Sequence, residues 1–128
     1  MNILSRVVAL LFLTVSMASC FSDDGMDMTA IQYRVTTETP MTTEITYKKV
    51  DGQHIQVQMP QETMVWHTTE YTDKDFEALV KASFSNLSDR GISYTLHLFV
   101  DGELVIKNQG TVLPNSQSAS QASYTITK

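Results

Sequence analysis

The feature that most constrains this chain is a period-two alternation of apolar and polar residues that returns again and again from Ile31 onward. Ile31, Tyr33 and Val35 alternate with Gln32, Arg34 and Thr36. Ile45 and Tyr47 alternate with Thr46 and Lys48, and Ile55, Val57 and Met59 with His54, Gln56 and Gln58. The longest run sets Ile92, Tyr94, Leu96, Leu98 and Val100 against Ser93, Thr95 and His97, with Phe99 breaking the polar face. Ala122, Tyr124 and Ile126 repeat the pattern near the end. Successive side chains of a strand point to opposite faces, so these runs predict half-buried antiparallel strands.

The punctuation agrees. Asp51-Gly52 and Asp101-Gly102 each separate two runs, and both dipeptides tolerate the positive φ of a type I′ hairpin turn. Pro40, Pro60 and Pro114 all fall between runs, where a missing backbone N–H is harmless. Residues 114–121 (PNSQSASQ) read as a Ser/Gln-rich loop between two strand-like pieces.

Asp73 to Phe84 admits two readings. Phe76, Ala78, Val80, Ala82 and Phe84 make a strand face, whereas Phe76, Leu79, Val80 and Phe84 make a helical stripe behind a Thr72/Asp75 capping box. The surrounding strands favour the first. Seven or eight strands with turns about every ten residues predict an all-β, immunoglobulin-like antiparallel β-sandwich over residues 30–128. Trp66 is the natural central core residue, because no other side chain in the sequence can bury as much apolar surface.

The amino terminus belongs to targeting rather than to the fold. Arg6 is followed by an apolar stretch from Val7 to Val15 and then by the small residues Ser16, Ala18 and Ser19. That order is a secretory leader, and the apolar run is shorter than the ~20 residues of a spanning helix. Met17-Ala18-Ser19-Cys20 resembles the lipobox of bacterial lipoproteins, although the family usually has Leu at the Met17 position. The resemblance implies that residues 1–19 are a signal peptide and that Cys20, the only cysteine, is lipidated as the mature amino terminus. Residues 20–29 are then a lipidated cysteine and flexible tether, and the chain partners the membrane through its lipid. Each buried methylene contributes roughly 0.8 kcal/mol, so two or three acyl chains anchor stably. Phe21 after Cys20 favours the outer membrane by resemblance to enterobacterial sorting, on the periplasmic face or the cell surface. Ser22-Asp23-Asp24 is similar to the acidic export signal of surface lipoproteins in Bacteroidetes, and it is equally a solvated acidic tether.

Tyr33-Arg34-Val35-Thr36, Ile45-Thr46-Tyr47, Asp51-Gly52, Pro60, Trp66 and Phe99-Val100-Asp101-Gly102-Glu103-Leu104-Val105 form an ordered set. Together they resemble the MmpS-like family of small envelope β-sandwich proteins over about residues 31–107. That resemblance implies partnership with an envelope transport complex. The sequence departs from the family at Val65, where a proline usually precedes the tryptophan, and in having a lipobox in place of an anchoring helix.

The chemistry available is sparse. No G-x-S-x-G, H-E-x-x-H or phosphate-cradling glycine loop is present, so no catalytic residue, cofactor or enzyme activity is expected. A formal charge of −5 argues against nucleic acid as a partner. His54 and His97 fall on polar strand faces and His67 lies beside Trp66; none has metal-ligand spacing, and no metal site is expected. Asp73, Asp75 and Glu77, with Glu70 nearby, would share one face of a strand and offer oxygen ligands to calcium. Strand spacing is too wide for one ion, so a solvated acidic edge is the better reading. Asn86-Leu87-Ser88 fits a glycosylation triplet that a bacterial leader makes meaningless, and Leu113-Pro114-Asn115-Ser116 lacks the apolar tail of a sortase signal. The expected role is therefore a non-enzymatic, lipid-anchored accessory or adaptor that binds another envelope protein. The alternative is a small-ligand or glycan-binding module in which Tyr33, Tyr47, Tyr94 and Phe99 stack on sugar rings.

Overall fold

A computed structural model describes residues 27–128, and it is all-β. The leader, Cys20 and Ser22-Asp23-Asp24 lie outside the described residues. Eight strands run β1 Thr29–Thr37, β2 Thr42–Lys48, β3 His54–Gln58, β4 Val65–Thr72, β5 Phe76–Asn86, β6 Ile92–Val100, β7 Glu103–Val112 and β8 Ser116–Ile126. They form two four-stranded antiparallel sheets, ordered β4-β1-β6-β7 and β3-β2-β5-β8, stacked as a sandwich. The alternation does what it predicts: Ile31, Tyr33, Val35, Ile45, Leu96 and Leu98 are all fully buried between the sheets.

Turn chemistry sorts cleanly by the kind of connection. Both Asp-Gly dipeptides close hairpins within one sheet, whereas Pro40, Pro60 and Pro114 each lie where the chain crosses from one sheet to the other. At 101–102 both residues have positive φ, 50° and 80°, as a type I′ turn requires. The 51–52 turn departs from that expectation, since only Gly52 is left-handed, at 92°. Gly52 N–H donates to Lys49 C=O at 2.9 Å, and Asp51 Oδ1 accepts from Gln53 N–H at 2.9 Å. This is a type I turn followed by a bulge glycine, with Val50 and Asp51 as its central residues and the Asp51 side chain tying down Gln53 N–H.

Three further expectations are corrected. Residues 116–121 are not loop: they are the first half of β8 and pair with Lys81–Asn86 of β5. Alternate positions there are half-buried, but serines fill them, so no apolar signal marks the strand. Trp66 is not central; it sits half-buried on the edge strand β4, its ring 5.5 Å from Tyr47. Asp73 and Asp75 lie in the connection between β4 and β5, off any strand face, and only Glu77 is on β5. The ambiguous 73–84 segment resolves to strand, with Phe76, Ala78, Val80, Ala82 and Phe84 all buried. A helix would have left Ala78 and Ala82 off the core.

Two polar side chains knit the interior. Tyr33 on β1 crosses between the sheets: its hydroxyl donates to Lys48 C=O at 2.8 Å and accepts from Leu79 N–H at 3.3 Å. The β2–β5 ladder ends at Tyr47 and Val80, so the phenol stands in for the next rung. Burial, above all, pushes its pKa up to about 12. Asn86, fully buried, directs Nδ2 at the carbonyls of Arg90 and Val112, at 2.7 and 2.9 Å, and Oδ1 accepts from Ser88. The glycosylation triplet is thus a structural plug.

Candidate functional site

The outward face of the β4-β1-β6-β7 sheet gathers the chain's most unusual chemistry. Register aligns Arg34 of β1 with His67 of β4 on one side and His97 of β6 on the other, and His97 with Lys107 of β7. A row of four basic residues, two His, one Arg and one Lys, therefore crosses all four strands. The next row carries Thr69, Gln32, Phe99 and Leu104, and the row beyond Arg34 carries Val65, Thr36, Thr95 and Gln109. Among the described residues, no Asp or Glu occupies an outward position of this sheet, although the chain has 14 acidic residues against nine Lys and Arg. Carboxylates appear only at its two ends, where Asp101 accepts from Ala30 N–H at 2.9 Å and Glu38 from Ser93 N–H at 3.4 Å.

Phe99, the residue that interrupts the polar alternation of β6, organises the row. The Arg34 guanidinium lies 4.8 Å from its ring centroid, and the His97 ring stacks on it at 5.7 Å. Such stacking fixes the planar fork of an arginine and leaves its amino edge free to grip a carboxylate. Arg34 Nη2 donates a long bond of 3.4 Å to Gln32 Oε1, while Arg34 Nε and His97 Nδ1 find no partner among the described residues. Burial, then the charges of Arg34 and Lys107, hold the His97 pKa below its ordinary value of 6.5. The row at neutral pH is thus two fixed cations with a neutral imidazole between them.

The other sequence candidates do not converge. Among the described residues no group of three or more His, Cys, Asp or Glu is placed to hold a metal ion. Glu70 points back to accept from Val50 N–H at 3.2 Å, and Asp75 accepts from the Lys128 N–H at 2.6 Å. His54 sits on β3 in the opposite sheet. Of the four aromatic residues considered for sugar stacking, Tyr33 and Tyr94 are core and Tyr47 faces inward beside Trp66, which leaves Phe99 alone on the outer face. The opposite sheet offers open troughs, one lined by Thr42, Glu44, Gln58, Ser83, Ser85 and Gln117 and another by Lys81, Ser83, Ala119 and Gln121. No family model matches the chain, and no curated protein matches it.

Proposed function

We propose that this chain is a non-enzymatic, lipid-anchored cell-envelope adaptor, tethered through Cys20, whose sandwich docks an acidic protein surface on the outward face of the β4-β1-β6-β7 sheet. The observation that carries this reading is the carboxylate-free face around Arg34, in a chain whose net charge is −5. Arginine held over an aromatic ring is the residue type that anchors protein interfaces, and exposed Val65, Tyr71 and Leu104 supply apolar contact around it. The leader and Cys20 support the envelope location and the outer membrane as its site. Similarity to the MmpS-like family makes an envelope transport complex the partner of choice.

The test is affinity capture of the full chain from its own membranes, with Arg34→Glu and Lys107→Glu variants beside it. A reproducible acidic partner lost with either variant supports the reading. A partner set indifferent to both variants, or none at all, refutes it. Mass spectrometry of the mature amino terminus tests the anchor: an unmodified Cys20 thiol, or cleavage elsewhere, removes the lipoprotein assignment.

A further inference from the structure

The sandwich is sealed on one side and open on the other. Where β7 meets β8, the Asn108 amide donates to the Gln121 carbonyl and bridges the sheets. Across from it, β3 and β4 are free edges. Edge strands are usually guarded by shortness, proline, lysine or a bulge. β3 has only five residues, and β7 carries both a bulge opposite Leu98/Phe99 and Lys107. β4 has no proline, lysine or bulge, and its one charge, Glu70 at an inward position, is tied to Val50 N–H at 3.2 Å; its eight residues, Val65–Thr72, run in unbroken register with β1.

Backbone parity says which groups it offers. Thr37 N–H donates to Met64 C=O at 2.8 Å, so the even-numbered residues of β4 turn their backbone groups toward β1. Val65, His67, Thr69 and Tyr71 therefore turn N–H and C=O outward, away from the sheet. Their side chains are exposed as well, with Val65 at 52% and Tyr71 at 58%.

We infer that β4 pairs with β4 of a second copy of this chain, antiparallel about a two-fold axis through Thr68. This register matches Val65–Tyr71, seven of the eight residues of the strand, to themselves. It sets Val65 against Tyr71 of the second copy, a β-branched residue on an aromatic, and His67 against Thr69. It opposes no like charges: Glu70, the only formal charge on β4, meets Trp66 of the second copy. Centring one residue earlier would oppose the two His67 rings and leave both Tyr71 side chains uncovered. About eight new backbone hydrogen bonds close the edge. The axis stands normal to the sheet, so the two Arg34 rows share one continuous eight-stranded face. This pairing rests on the strand edge and leaves Arg34 and Lys107 uncovered, although Val65, His67 and Tyr71 border the docking face as well.

The test uses the full chain in mild detergent. In a Cys20→Ser background, Thr68→Cys should form a disulfide-linked dimer on mild oxidation, because directly opposed residues at a non-hydrogen-bonded site lie about 4.5 Å apart. Ser120→Cys, on β8, should not. Thr69→Pro removes an outward N–H while sparing the β1 ladder, and should sediment as a monomer with wild-type circular dichroism where the parent sediments as a dimer. A monomeric parent overturns the pairing. So does a dimer that survives Thr69→Pro, equal cross-linking at Ser120→Cys, or a ladder of higher species showing open-ended addition.

Discussion

Replacing Tyr33 with phenylalanine removes one oxygen atom and should cost about 2 kcal/mol of folding stability. The ring stays, and with it the packing against Tyr47 at 5.7 Å. What goes is the donor to Lys48 C=O at 2.8 Å and the acceptor for Leu79 N–H at 3.3 Å. An orphaned interior group costs ~1–3 kcal/mol; Lys48 and Leu79 are half-buried, which puts each near the low end. For a domain of about 100 residues that total corresponds to a fall in Tm of roughly 8–16 °C. Urea melts followed by circular dichroism give the stability, and hydrogen exchange at the Leu79 amide gives the local readout. The alkaline limb supplies a second signature. Tyr33 titrates near 12 in the fold against 10.0 in the unfolded chain, so its contribution is complete below pH 10 and is lost as pH rises from 10 to 12. The phenylalanine variant should lack that component. A variant within about 0.5 kcal/mol of the parent, with the Leu79 amide still protected, would refute the splice between sheets.

Asn86→Ala should cost about 3 kcal/mol in the same melts, because it strands the Val112 carbonyl in the interior and the Ser88 turn loses its acceptor. Gly110→Ala should destabilise by ~1–3 kcal/mol, since its Cβ would lie 2.7 Å from the Tyr94 hydroxyl oxygen. Near-ultraviolet circular dichroism would report the loosened stack of Tyr94 on Phe84. His97, held below 6.5 by burial and by Arg34 and Lys107, binds fewer protons in the fold than in the unfolded chain. Stability should therefore decline as pH falls below about 6.5, and His97→Gln should flatten that acid limb in pH-dependent melts.

Local chemistry was legible in the sequence wherever the local pattern decided the outcome. Two Asp-Gly pairs marked the two hairpins, whereas the five alternating apolar positions from Phe76 to Phe84 fitted strand or helix and only the surrounding strands favoured the β5 that forms. Partner strands were not legible. Arg34 and His97 are assigned to polar faces by alternation, but the single row they form with His67 and Lys107 comes from the order β4-β1-β6-β7, which no local pattern encodes. Phe99 was visible as an anomaly, an aromatic on a polar face, and that signal did point to the candidate site. The start of β8 was hidden because Ser116, Ser118 and Ser120 fill its half-buried positions, where an apolar side chain would have marked the alternation. Burial capacity alone misled at Trp66, whose size says nothing about which strand ends a sheet.

The position of Trp66 explains how an unsealed side stays folded. Tyr33 of β1, Tyr47 of β2 and Trp66 of β4 form a chain of tilted rings, with centroids 5.7 and 5.5 Å apart. This chain alternates between the sheets, from the buried centre outward to the free edge. Offset aromatic contacts add about 0.5–1.5 kcal/mol each beyond area burial, so the rings hold together two sheets whose edge strands barely touch. On the opposite side a backbone-directed amide from Asn108 does that work. The difference matters for binding. The β4 side is closed by rings and by the Glu70 side chain, which accepts from Val50 N–H at 3.2 Å, and neither uses the outward backbone groups of β4 beneath exposed Val65 and Tyr71. The tryptophan expected at the centre of the core thus has its effect at the margin, where it supports the strand left open to a partner.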